Sequence, residues 1–137
     1  MILNTQITFI LVDDDAINNM LSEILIDDEF PGVKIISFID PEEAIEYFSK
    51  ANTPNENEKI FLFLDINMPL MTGWEFLERL EQNKVDINDS FYIYMLSSSV
   101  NNDDVEKSSK NPKIVSFVEK PLNFEFLSQL STTFSLK

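Results

Sequence analysis

The chain has 137 residues, 44% hydrophobic and 12% aromatic with 12 Phe, which favours one domain with a true core over intrinsic disorder. Ten Lys and Arg against 24 Asp and Glu leave a net charge of −14, which repels phosphate backbones and anionic lipid and so disfavours nucleic-acid and membrane partners. Zero Cys and zero His exclude disulfides, thiolate and imidazole metal sites, Cys nucleophiles and the commonest general base, and two Gly (Gly32 and Gly73) cannot build a dinucleotide or Walker-type loop.

Residues 1–6 lack the basic region and small-residue cleavage site of a signal peptide. No apolar run approaches the roughly 18 residues of a membrane span, so a soluble, cytoplasmic protein is expected. Residues 7–12 (ITFILV) form a short apolar run rich in β-branched and aromatic side chains, which predicts a buried strand. Ile17, Met20, Leu21, Ile24 and Leu25 then recur at steps of three and four, predicting a helix with that face inward and Asp15 as its N-cap. Residues 33–38 (VKIISF) are the second strand. Asp40, Pro41 and Glu43 predict a capping box opening a helix through Ala44, Ile45 and Phe48. Residues 52–59 are a polar loop, and 60–64 (IFLFL) the most hydrophobic strand.

Pro69 and Gly73 punctuate the next loop, and Trp74, Leu77 and Leu80 mark a third helix. Residues 91–96 (FYIYML) are the fourth strand, 102–107 a weakly helical stretch with little apolar face, and 114–118 (IVSFV) the fifth strand. A last helix, capped by Asn123, carries Leu127, Leu130 and Phe134.

This alternation predicts an α/β domain with a parallel sheet and helices on both faces. Strands one, three and four are apolar nearly throughout, as interior strands are, whereas Lys34, Ser37 and Ser116 place strands two and five at the edges. The predicted order is 2-1-3-4-5, a flavodoxin-like, doubly wound arrangement whose ligands gather at the carboxyl ends of the strands.

At those ends stand Asp13, Asp14 and Asp15; Asp65 with Asn67; Ser97, Ser98 and Ser99; and Glu119, Lys120 and Pro121. Singly these are ordinary caps, turns and solvated loops. Asp65 is the exception, since a carboxylate ending a central strand is costly unless paired or set in a cleft. Two carboxylates about 4 Å apart repel by roughly 4 kcal/mol at an effective dielectric of 20, so the cluster calls for a cation. With oxygen ligands alone that cation is hard, Mg²⁺ before Ca²⁺ or Mn²⁺. Mg²⁺, Lys120 and the Ser97 hydroxyl around a free carboxylate make equipment for phosphoryl transfer onto Asp.

The runs Val12-Asp13-Asp14-Asp15, Asp65-Ile66-Asn67-Met68-Pro69-Leu70-Met71-Thr72-Gly73, Leu96-Ser97-Ser98 and Glu119-Lys120-Pro121 closely resemble the receiver domain of two-component response regulators. The resemblance spans nearly the whole chain and implies a single receiver domain over 1–137 with no output domain. It implies Asp65 as phosphoacceptor, Asp14 as direct Mg²⁺ ligand, Asp13 as the second acidic residue and Asn67 as a backbone-carbonyl ligand. Lys120 would pair with the acceptor and then the phosphoryl group, while Ser97 and Phe117 occupy the switch positions. Ser97 stands where Thr is more frequent and Ser98 where Ala is common, and the loops at 52–59 and 82–90 are longer than the family's compact form.

The implied partners are a sensor histidine kinase or histidine phosphotransfer protein, because a chain without His needs an external phosphohistidine, and a separate downstream protein. Two alternatives stand beside this reading. A haloacid-dehalogenase-like Mg²⁺ phosphohydrolase would want a second Asp where Asn67 stands, and a binding-only receiver would need a broken acceptor, Lys or acidic pair.

Overall fold

A computed structural model describes residues 5–98 and 101–134. Strands and helices alternate along them as β1 (Gln6–Val12), α1 (Ala16–Glu29), β2 (Lys34–Phe38), α2 (Pro41–Lys50), β3 (Glu58–Asp65), α3 (Gly73–Gln82), β4 (Phe91–Ser97), α4 (Asn102–Lys110), β5 (Ile114–Glu119) and α5 (Phe124–Phe134). All strand pairs are parallel and the order is β2-β1-β3-β4-β5, as strand composition predicted. No helix among the described residues is long and apolar enough to cross a membrane.

Alternation of side chains along the strands gives the sheet two buried faces. Ile10, Val12, Leu62, Leu64, Ile93 and Met95 pack on one side with Ala44, Phe48, Phe76 and Leu80 of α2 and α3. Phe9, Leu11, Phe61, Phe63, Tyr94 and Leu96 pack on the other with Ile26 of α1 and Leu127 and Leu130 of α5. Aromatic pairs tie that second face across the strands, Phe9 to Phe61 at 5.2 Å and Phe61 to Tyr92 at 5.1 Å, both stacked.

Three local expectations need correction. Helix α1 is rotated: it buries Asn19, Ser22, Ile26 and Glu29, while Ile17, Met20, Leu21 and Ile24 are exposed and, of the predicted face, Leu25 alone packs against the core. Asp40 caps α2 by accepting the Glu42 N–H at 2.9 Å, and the reciprocal capping box is found instead on α3, between Thr72 and Glu75. Helix α4 runs three residues beyond the predicted stretch, its last turn carrying Lys107 and Lys110, which complement the dipole there. Asp15 and Asn123 are N-caps as expected.

Gly73 opens α3 hard against the end of β3. Its N–H bonds the Ile66 carbonyl at 2.9 Å, and a Cβ there would lie 2.8 Å from the Asp65 carbonyl oxygen and 2.9 Å from the Met95 methyl. Replacing Gly by Ala in a helix otherwise gains up to about 1 kcal/mol, but overpacking against backbone costs about 1–3 kcal/mol. Gly73→Ala is therefore expected to be destabilising by about 1–2 kcal/mol in urea unfolding; an unchanged or raised midpoint would show that α3 withdraws freely from β3.

Candidate functional site

Strand β1 ends at Val12 beside Leu64 of β3, so the next residues, Asp13 and Asp65, emerge side by side. Both are buried, at 1% and 2% exposure, whereas Asp14 faces solvent. One carboxylate oxygen from each of Asp13, Asp14 and Asp65 lies within 4.8 Å of the others. Lys120, just beyond β5, reaches across the end of the sheet with its Nζ 3.1 Å from Asp13 Oδ2 and 3.4 Å from Asp65 Oδ1. Its backbone N–H bonds the Ser97 carbonyl at 2.7 Å, which carries the β4–β5 pairing to the site, and the Lys120–Pro121 peptide is cis.

The predicted residues thus divide by position. Asp13, Asp14, Asp65 and Lys120 converge. Ser97 ends β4 fully buried, one strand away from Asp65. Asn67 donates its backbone N–H to Asp65 Oδ1 at 3.2 Å and exposes its side chain. Phe117 lies outside the cluster, opposite Met95 in the β4–β5 register and half-buried against the core. Ser98 is exposed, and Ser99 falls outside the described residues.

Two asparagines that the sequence reading passed over belong to the site. Asn18 Nδ2 donates to Asp13 Oδ2 at 2.8 Å, and buried Asn19 Nδ2 donates to the Asp13 carbonyl at 3.0 Å and the Phe38 carbonyl at 3.3 Å. The Asp15 N–H occupies Asp13 Oδ1 at 2.9 Å. Their signal was present: consecutive Asn in the first turns of a helix is poor helix chemistry and invites a side-chain role.

Electrostatics follow from this crowding. Burial, and then the neighbouring Asp13 charge, push the Asp65 carboxyl up to about 7, against the opposing pull of Lys120 and the Asn67 N–H. For Lys120, burial disfavours the charge, but Asp13 and Asp65 outweigh it and hold its pKa above the ordinary lysine value. At 4.8 Å or less, each carboxylate pair repels by roughly 3–4 kcal/mol at an effective dielectric of about 20, and one ammonium group cannot offset three charges. Three convergent carboxylates with no His or Cys fit a hard divalent cation such as Mg²⁺.

Several solved structures share this architecture. A two-component response regulator from Cytophaga hutchinsonii is 26% identical with a TM-score of 0.78, covering 97% of this chain and 99% of that one. A response regulator receiver protein from Dyadobacter fermentans is 24% identical with a TM-score of 0.77, covering 94% and 98%. A Borrelia burgdorferi CheX–CheY–BeF₃–Mg²⁺ complex is 19% identical with a TM-score of 0.70, covering 93% and 89%. None of the curated proteins compared matches the chain. The sequence model of the response regulator receiver domain matches residues 9–131, nearly the full length, and the chain belongs to that family.

Proposed function

We propose that Asp65 accepts a phosphoryl group from a phosphohistidine on a sensor histidine kinase or histidine phosphotransfer protein, and that the protein is a switch acting on a separate downstream protein. The observation that carries this reading is the buried Asp65 carboxylate, 2% exposed, held 3.4 Å from Lys120 inside a three-carboxylate cluster. Receiver domains are signalling switches of two-component systems, and membership in that family favours this role over a dehalogenase-like hydrolase. So does Asn67, an amide where such a hydrolase wants a second acid.

In the transfer, an Asp65 carboxylate oxygen attacks phosphorus, an O–P bond forms, the P–N bond to the donor imidazole breaks, and the imidazole leaves with the bonding pair. Asp13, Asp14 and Asp65, with the Asn67 carbonyl, would hold Mg²⁺, which supplies positive charge to the carboxylates and to the phosphoryl oxygens. The Mg²⁺ and BeF₃ of the Borrelia CheY complex support that assignment by analogy of fold. Lys120 then shifts its pairing from the acceptor to the phosphoryl group. The outward row of Ile17, Met20, Leu21 and Ile24, on the helix whose Asn18 bonds Asp13, offers the donor an apolar docking face.

Asp65→Asn separates chemistry from stability. Unfolded, Asp65 ionises near its ordinary 3.8; folded and without metal, it keeps its proton to about 7. Its contribution to stability is fully present below 3.8, declines as pH rises, and is gone above about 7, because the unfolded chain loses its proton first. The amide stays neutral throughout. Asp65→Asn is expected to gain no mass with acetyl phosphate and Mg²⁺, yet to be about 2–4 kcal/mol more stable than the parent at pH 8 without metal. A phosphoryl adduct on Asp65→Asn would move the acceptor elsewhere.

Asp14→Ala is expected to weaken Mg²⁺ binding at least about tenfold, the order expected from losing one charged oxygen ligand. Calorimetric titration reads this directly, and parent-like affinity would remove Asp14 from the ligand set.

For output, Ser97 is expected to turn toward the added oxygens and Phe117 to pack further inward, since an unfilled space forfeits contact energy. Beryllofluoride with Mg²⁺ should then shift NMR resonances of Phe117 and of α4 as well as those around Asp65. Perturbation confined to the site would leave Phe117 as an ordinary core aromatic.

A further inference from the structure

Between α3 and α4 lies a groove of about 550 Å³, within the roughly 300–1,000 Å³ typical of small-molecule sites. Its floor is apolar: Trp74 and Leu77 of α3, Val85 and Ile87 of the following loop, and Ile93 of β4. In an ordinary α/β layer the covering helix would fill such a space with its own apolar side chains. Helix α4 cannot. Its sequence NDDVEKSSK holds one apolar residue, Val105, which is 40% exposed, and the one side chain it buries is Ser108. To the groove it contributes Lys107 and Lys110, joined by its C-cap Asn111.

Charge around the groove is sorted by wall. Three of the chain's ten basic residues, Lys107, Lys110 and Lys113, stand on the α4–β5 side, while Glu78 and Glu81 stand on α3. In a chain of net charge −14 that is a local concentration of cations. None of the three is locked away. Lys110 pairs with Glu106 at 3.1 Å between largely exposed side chains, a contact worth little. Lys113 Nζ bonds the Ile87 carbonyl and keeps further donors, and Lys107 Nζ lies 5.7 Å from the centre of the Trp74 ring.

We propose that this groove binds an amphipathic monocarboxylate, an apolar body of medium length ending in one carboxylate. The body lies on Leu77, Val85, Ile87 and Ile93, and the head group lies toward Lys110 and Lys113, away from Glu78 and Glu81. The inference does not depend on the phosphoacceptor reading, because the groove and the acceptor cluster share no residue.

Trp74 is the only Trp in the chain and lines the groove, so its emission reports occupancy. Decanoate is expected to give a saturable change in emission and a matching calorimetric isotherm, while decanol, with the same body and no charge, binds at least tenfold more weakly. Lys110→Gln with Lys113→Gln should weaken decanoate at least tenfold and leave decanol unaltered. Lys110→Gln alone, whose side chain is 73% exposed, keeps the test available should the double variant not fold. Ile17→Gln with Met20→Gln, on the exposed row of α1, should leave decanoate binding intact. Absence of saturable binding, equal affinity for decanol, parent-like affinity in the lysine variants, or loss of binding in the α1 variant would each overturn the proposal.

Discussion

Repulsion between carboxylates at the ends of β1 and β3 is the constraint around which the rest of this molecule is arranged. The parallel register that sets Val12 beside Leu64 delivers Asp13 and Asp65 to adjacent buried positions, where each ion carries a desolvation cost of several kcal/mol. Partial compensation comes from every side: Lys120 from beyond β5, the N–H groups of Asp15 and Asn67, and the amide of Asn18. The remainder still lifts Asp65 to about 7. A sheet selected for stability alone would have apolar residues there. The uncompensated charge makes sense as a receptor for a cation and for a group that arrives bearing charge of its own.

The same cluster sets the rotation of α1. With Asp15 as N-cap, Asn18 and Asn19 must meet the Asp13 carboxylate and the carbonyls of Asp13 and Phe38. Once Asn19 faces inward, helical spacing carries Ser22, Ile26 and Glu29 inward with it and turns Ile17, Met20, Leu21 and Ile24 to solvent. Polar satisfaction at the site thereby outweighs burial of four large apolar side chains, each worth about 1.5–3 kcal/mol if fully buried. That preference leaves an apolar surface beside the carboxylate cluster, on the helix whose Asn18 bonds Asp13.

This conflict is also where sequence reading fails. Strand identity and order were legible because apolar runs and the polar residues Lys34, Ser37 and Ser116 report burial on two faces directly. The placement of Asp13, Asp14, Asp65 and Lys120 was legible because topology alone brings strand ends together. The phase of α1 was not, since periodicity assumes that the most apolar face is the buried one, and hydrogen bonds to the carbonyls of Asp13, just past β1, and Phe38 of β2 decide otherwise. Nor does periodicity register the basic last turn that favours the longer α4, because its contribution is local to the helix end.

Helix α4 is held by contacts of a different kind from its neighbours. Helices α2 and α3 bury Phe48, Phe76 and Leu80 in the core. Helix α4 is joined to α3 through a hydrogen bond from Trp74 Nε1 to Asp104 at 3.1 Å and through Lys107 over the Trp74 ring. A net hydrogen bond contributes about 1 kcal/mol and an exposed cation–π contact about 0.5–1, against about 1.5–3 for each large apolar side chain buried by α2 or α3. Helix α4, whose one buried side chain is Ser108, therefore sits between two elements that reach Asp65. Helix α3 begins at Gly73, against the Asp65 carbonyl, and β5 is followed by Lys120, against the Asp65 carboxylate. A change of charge at Asp65 would act on both, and displacement between them is cheapest where α4 bridges the gap, because fewer buried apolar contacts must be exchanged there than at α2 or α3.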